Sequence, residues 1–221
     1  ESALDGNRAI IGADTLLLSL QNGMGNYDIM QRFAPAEHIL LGTTKHNCVA
    51  KAPGVIYHSG AGITHIGSPA GDRAAADRIA EAFGICGIEA EACDNVNHLI
   101  WEKLFVNMTV NPITALLGST IGVIASDPDV RAAAYTLICE AAAVAAADGE
   151  EFDPDVVFAA LMDTAAHLAT GKASMCQDIE RHRRTEIDFI NGAVVRLGKK
   201  YGIPTPAHEM IVRLVHAKEK L

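Results

Sequence analysis

TLLLSLQNGMGNYDIMQRF, Thr15 to Phe33, is the stretch whose reading decides the fold. An apolar run of strand length, Thr15–Leu20, stops at Gln21-Asn22-Gly23-Met24-Gly25 and gives way to a helical pattern over Asn26–Phe33. A buried strand, a glycine-rich turn and a helix in that order make one unit of an α/β domain, where ligands gather beyond the carboxyl ends of the strands. Asn22 stands at such an end, although a turn asparagine beside Gly23 is the plainer reading. Upstream, the first fourteen residues read as the tail of a helix and a turn. Downstream, Ile39–Val49 reads as a strand with a glycine-marked bend, followed by a turn at Pro53-Gly54. Val55–His58 and Ile63–Ile66 then suggest a hairpin around Ser59-Gly60-Ala61-Gly62. A helix is expected over Asp72–Phe83 and an alternating strand over Gly87–Cys93, with Asp94–Asn97 as a hinge into a region that is helical throughout.

That second region opens with HLIWEKLFVNMTVNP, His98 to Pro112. A helical period puts Lys103, Asn107 and Asn111 at i, i+4 and i+8, close to one face. Leu99, Trp101, Leu104, Phe105, Met108 and Val110 fill much of the remaining surface, so the helix is expected to be largely buried. A buried ammonium requires a partner or a ligand. Spacing alone reads equally well as an ordinary polar stripe. Asp127-Pro128 and Asp153-Pro154 each combine an N-cap with a proline at the first helical position, and they predict two more helices. Ser174-Met-Cys-Gln177 has the form of a capping box and predicts a long helix to Tyr201, ended by Gly202 and Pro204; a last helix follows Pro206. The expected fold is therefore α/β plus all-α.

The chain has 221 residues and is 49% hydrophobic, enough for a sizeable core. A formal charge of -9, a pI near 5.4 and the absence of a Lys/Arg-rich run argue against nucleic acid or an anionic membrane as partner. Ala132–Ala147 is alanine-rich and interrupted by Glu140, which reads as a packed helix short of a membrane span. No signal peptide is visible at the polar N-terminus. Five cysteines without a CxxC pair fit reduced thiols of a cytoplasmic protein, and nine scattered histidines without a ligand-like pair give no expectation of metal.

An α/β half followed by a helical half suggests a nucleotide-dependent dehydrogenase, yet the GxGxxG fingerprint is missing. Asp28 stands where Gly23-Met-Gly25 would need its third glycine, and His65 where Gly60-Ala-Gly62 would. Other motifs carry a resemblance. Leu20-Gln-Asn-Gly-Met-Gly25, Gly42-Thr-Thr-Lys-His46, Gly62-Ile-Thr-His-Ile-Gly67 and Trp101-Glu-Lys-Leu104 with Asn107 and Asn111-Pro112 come first. Ser174-Met-Cys-Gln-Asp178, Thr185-Glu-Ile-Asp188 and Asn191-Gly192 complete the set. Together they resemble ketopantoate reductase, in order and through almost the whole chain.

The resemblance implies NADPH-dependent reduction of 2-dehydropantoate to (R)-pantoate, a step in pantothenate and coenzyme A biosynthesis. It implies residues 1–95 as the remaining half of a Rossmann-type NADP-binding domain and residues 96–221 as the helical domain of the family. Family chains begin with a GxGxxG half of roughly 80 residues, so this chain reads as a fragment that is inactive by itself. Lys103 matches the family's general acid, which suits a lysine whose pKa is lowered by burial. Asn107, Asn111 and Ser174 match substrate ligands, and Asn22, Cys48 and Glu186 match cofactor contacts. Plainer roles stand beside these: Ser174 as a helix cap, Cys48 as a small apolar residue, Glu186 as a solvated carboxylate beside Arg183 and Arg184. Ile121 replaces a further substrate asparagine. The implied partner is a small 2-keto acid, and a homodimer is compatible with the family. Two rival expectations are reduction of another 2-keto acid and a non-catalytic remnant serving oligomerisation.

Overall fold

The computed structural model describes residues 1–221, which form two compact units. The first comprises Glu1–Gln21 and Gly25–Ile100; the second comprises Asn22–Met24 and Trp101–Leu221. After a short helix α1 (Ser2–Gly6) come β1 (Leu17–Ser19), α2 (Asn26–Met30), β2 (Ile39–Thr44), β3 (Asn47–Ala52) and β4 (Val55–Gly60). Then follow β5 (Thr64–Gly67), α3 (Arg73–Ile85) and β6 (Ala90–Ala92). A four-stranded mixed sheet has the order β1-β2-β5-β6. Its β1/β2 and β5/β6 pairs are parallel and its β2/β5 pair is antiparallel.

Side-chain alternation explains why β2 is apolar without a break. Ile39 and Leu41 join Leu17, Met30, Ala34 and Val96 in one cluster, while Leu40 joins Ile66, Ala75 and Ala76 in another. Successive residues of a strand point to opposite faces, so a strand buried on both sides needs apolar residues at every position. The same logic covers β1, whose neighbours Leu16 and Leu18 pack on the second cluster and Leu17 on the first.

The hairpin is displaced from the expected position. β3 pairs with β4 around Pro53-Gly54, in a separate two-stranded sheet, and Gly54 takes a φ of 75° there. Ile39–Val49, expected as a strand followed by a glycine-marked bend, contributes to both sheets, and Gly42 continues β2, which ends only at Thr44. Ile63–Ile66 lies largely in β5 and pairs with β2 and β6 instead of the hairpin. Ser59–Gly62 looked like the turn because of its two glycines, but Ser59 and Gly60 end β4, and Ala61 and Gly62 begin the link to β5.

The second unit is helical. Helix α4 (Val96–Leu117) enters it at Trp101 and continues through an internal Pro112. α5 (Val123–Ser126), α6 (Pro128–Ala147), α7 (Pro154–His167), α8 (Ser174–Glu180), α9 (Asn191–Tyr201) and α10 (Pro206–Lys218) follow. Asp127 and Asp153 cap α6 and α7 as the Asp-Pro pairs predict: Asp127 accepts from the Asp129 and Val130 amides, Asp153 from that of Asp155. Trp101, Leu104, Phe105 and Met108 of α4 are at most 2% exposed. The indole N–H of Trp101 donates to Asp148 Oδ2 at 3.1 Å, and the Tyr201 hydroxyl donates to Oδ1 at 2.6 Å. Leaving such a buried donor without its acceptor costs about 1–3 kcal/mol. α6 is long and apolar enough to cross a membrane by length and composition, contrary to the expectation from its alanines and Glu140. Its stripe of Ala134, Leu137, Ile138, Ala141 and Ala145 is nevertheless buried in the helical core.

The long helix expected over Ser174–Tyr201 is two helices. α8 ends in a Schellman arrangement, in which the Arg183 amide donates to the Asp178 carbonyl at 2.8 Å and the His182 amide to that of Ile179 at 3.0 Å. His182 supplies the left-handed residue, with a φ of 50°. Glycine normally fills that place, so no residue type between Ser174 and Asn191 announced the break. Nor does the capping box form. Ala173 is the N-cap, Ser174 occupies the first helical position without a capping bond, and Gln177 Nε2 donates to the Lys172 carbonyl.

Glu140 receives the first amides of α10, those of Ala207 and His208, at 3.0 and 3.2 Å. His208 itself is fully buried, and its Nε2 lies 3.0 Å from the Leu137 carbonyl. Burial lowers the pKa of this imidazole, outweighing the Leu137 carbonyl and Glu140, which raise it. An unfolded chain therefore binds the proton before the folded one does, and stability rises with pH across that interval. Conformational stability is expected to fall as the pH drops below the ordinary imidazole value of about 6.5. Urea unfolding of the wild type and His208→Asn across that range checks this, the variant showing a weaker pH dependence.

Candidate active site

Lys103 lies on α4 in the second unit, partly buried, with Asn107 and Asn111 one and two turns further on. Asn111 is only 6% exposed. Burial lowers the pKa of the Lys103 ammonium, and the charge of Glu186 partly opposes the shift. The physics is a competition: a desolvated ammonium favours giving up its proton, and a carboxylate nearby favours keeping it.

Glu186 begins a tight turn between α8 and α9. The amides of Phe189 and Ile190 donate back to its carbonyl at 2.9 and 3.1 Å. Thr185 before it is anchored by Glu219, whose Oε1 accepts from the Thr185 amide at 2.7 Å and from its hydroxyl at 2.8 Å. Asn22 Nδ2 donates to Glu186 Oε2 at 3.1 Å across 164 residues of sequence. Two side chains matched separately to cofactor contacts are thus hydrogen-bonded to each other.

The segment Asn22–Met24 is held at three points. Besides the Asn22 bond, the Met24 amide donates to the Phe189 carbonyl at 2.8 Å, and Arg196 bridges the carbonyls of Asp188 and Met24 at 2.6 and 3.2 Å. Gly23 makes this approach feasible. It has a φ of 83°, and a Cβ there would fall 2.2 Å from the Phe189 carbonyl oxygen. Sequence reading missed Arg196 and the Phe189 carbonyl entirely. Gly23 was the only visible signal, and it read as turn chemistry.

The other candidates stand differently. Ser174 is exposed at the start of α8, and its hydroxyl bonds to none of Lys103, Asn107, Asn111 or Glu186. Cys48 belongs to the first unit, where it is exposed on β3 opposite His58. It is therefore not the buried small apolar residue that its plainer reading expects. Ile121 packs partly buried against the helical core. No group of three or more His, Cys, Asp or Glu side chains is arranged to hold a metal ion.

Family models cover most of the chain. The model described as "Ketopantoate reductase PanE/ApbA C terminal" matches residues 95–219 and "Ketopantoate reductase PanE/ApbA" matches residues 1–71. The chain belongs to the ketopantoate reductase family. A 2-dehydropantoate 2-reductase of Streptococcus pyogenes serotype M1 is 37% identical over 214 residues, 96% of this chain and 70% of that protein. One from Pyrococcus horikoshii is 34% identical over all of this chain and 72% of its own length. Among solved structures, D-mandelate dehydrogenase with NADH and anilino(oxo)acetate superposes with a TM-score of 0.93 at 34% identity, over 99% of this chain and 72% of that one. A PanE/ApbA family ketopantoate reductase from Ralstonia eutropha JMP134 gives 0.88 at 29% identity, over 99% and 72%. As in these relatives, the architecture joins a Rossmann-like α/β unit to a helical one.

Two predictions follow from the geometry of this cluster. Gly23→Ala is expected to lose roughly 2–4 kcal/mol of stability, from the left-handed backbone and the collision with the Phe189 carbonyl together, as read by denaturant unfolding. Glu186→Gln removes the charge that keeps the proton on Lys103, so the ammonium should titrate at a still lower pH. NMR of the Lys103 ε-methylene group measures this, and an unchanged midpoint would separate the two residues.

Proposed function

We propose that the protein is the substrate-side machinery of an NADPH-dependent 2-dehydropantoate 2-reductase, forming (R)-pantoate for pantothenate and coenzyme A biosynthesis in the cytoplasm. The observation that carries this reading is the partly buried Lys103, with its pKa lowered by burial and opposed by Glu186, on the same helix as Asn107 and Asn111, in a chain of this family.

A reduced nicotinamide, when bound, supplies hydride to the ketone carbon. The side chains fit its ribose and nicotinamide end. Glu186 offers a carboxylate to hydroxyl donors, and Asn22 is an amide already oriented by that carboxylate. Residues 1–221 contain no GxGxxG turn, so a phosphate cradle of that type is not among the groups described. As negative charge develops on the ketone oxygen, the Lys103 ammonium donates a proton to it, converting C=O to CH–OH. A lysine with a depressed pKa gives up that proton more readily than one in water, and solvent then restores it. Asn107 and Asn111 present amide donors to the substrate's oxygens, and Ser174 adds a hydroxyl for its carboxylate. Glu186 balances the site, keeping Lys103 protonated until the proton is required.

D-Mandelate dehydrogenase among the structural neighbours favours a second reading, in which the substrate is another 2-keto acid with a bulkier side chain and the cofactor is NADH. Ile121 in place of an asparagine agrees with an apolar substrate side chain. Initial rates of an intact homologue with ketopantoate and phenylglyoxylate, each with NADPH and NADH, separate the two, and the pair with the highest kcat/KM identifies the substrate. In an intact protein that carries the GxGxxG half as well, Lys103→Ala is expected to lower kcat on the order of 100-fold or more while NADPH affinity stays within about twofold. Turnover that survives this change would sink the assignment of Lys103 as the acid.

A further inference from the structure

Pro112 lies inside α4, four residues beyond Met108. An α-helical carbonyl accepts from the amide four residues later, and proline has no N–H to give. The Met108 carbonyl, directly after Asn107, is therefore denied its regular intrahelical donor. Asn191, fully buried at the start of α9, supplies one instead: its Nδ2 donates to the Met108 carbonyl at 2.9 Å.

The second hydrogen of that amide is also used. Asn191 Nδ2 lies 3.2 Å from His208 Nδ1, and His208 Nε2 lies 3.0 Å from the Leu137 carbonyl. A carbonyl can only accept, so Nε2 carries the ring proton and Nδ1 accepts from Asn191. Asn191 Oδ1, by contrast, is buried without a partner. A buried amide that leaves its acceptor unpaired is costly, and what it delivers here is two donors. Asn191 also follows directly on the turn that begins at Glu186, whose Ile187 carbonyl accepts from the Gly192 amide at 2.9 Å.

We infer that Asn191, held by His208, is a positioning residue that sets the helix of Lys103 and Asn107 against the turn of Glu186 by taking the place of the amide that Pro112 lacks. This rests on the reading of Lys103 as the proton donor. Asn191 acts through the Met108 backbone, fixing the distance over which Glu186 acts on Lys103.

The brace and the missing amide are coupled, which gives the test. Asn191→Leu keeps the branched shape of the side chain and removes both donors. In an intact protein that carries the GxGxxG half as well, it is expected to lower kcat for 2-keto acid reduction by about 10- to 100-fold, with KM for the nicotinamide within about twofold. Pro112→Ala restores an N–H to the Met108 carbonyl, and in that background Asn191→Leu should cost no more than about threefold. An equal loss in both backgrounds overturns the proposal, as does an Asn191→Leu enzyme with full activity. Hydrogen exchange of the α4 amides from Asn107 to Ala115 reads the same coupling without turnover, faster in Asn191→Leu and restored in the double variant. If Asn191→Leu does not fold, recovery of folding in the double variant supports the brace, and continued failure to fold refutes it. The Lys103→Ala assay keeps the two readings apart. If that variant retains turnover, the acid assignment falls; if it is dead and the rescue fails, only the brace falls.

Discussion

A main-chain hydrogen bond, from the Met24 amide to the Phe189 carbonyl, is the constraint on which the polar cluster depends. It joins chain segments 165 residues apart and brings Asn22 to Glu186, and through Glu186 the first strand's turn influences a lysine on α4. Gly23 is the condition for it. Any Cβ there would occupy the space the carbonyl needs, so a local backbone requirement governs a long-range electrostatic one.

Around that contact the second unit is organised as a set of fixed polar groups in an apolar helical core. Asp148 receives Trp101 and Tyr201, Glu219 receives Thr185, Glu140 receives the first amides of α10, and Asn191 receives no one but gives twice. Each is a buried or half-buried group whose removal would leave a partner unsatisfied, which is how such networks define one arrangement of helices over its alternatives. At Lys103 and His208 the surroundings do more than lock a position, because burial lowers the proton affinity of each.

Much of this was legible in the residues. The TLLLSL run, the Asp-Pro helix starts and the apolar face of His98–Pro112 lead directly to β1, α6, α7 and α4, because each rests on a local rule. What stayed hidden rests on non-local or atypical chemistry. His182 ends α8 in a conformation that glycine usually marks, so the helix read as continuous. Gly60 and Gly62 advertised a turn that Pro53-Gly54 makes. Within the candidate site, the i, i+4, i+8 spacing exposed Lys103, Asn107 and Asn111, and family motifs pointed to Asn22 and Glu186. Their hydrogen bond, and the part Arg196 plays beside it, could not be read from positions so far apart in sequence. Pro112 was visible throughout, and its meaning emerged only with the side chain that answers it.

Trp101 is the chain's single tryptophan, wholly buried two residues before Lys103 on the same helix, with its indole N–H committed to a carboxylate. Indole emission depends on the polarity around the ring and is quenched or shifted by changes in nearby hydrogen bonds. The protein consequently carries an optical reporter built into the helix that presents its ammonium, without a competing fluorophore of the same kind. Reduced nicotinamides absorb where tryptophan emits, so resonance energy transfer from this one indole can register a dinucleotide's arrival while the intrinsic emission reports the state of the helix itself.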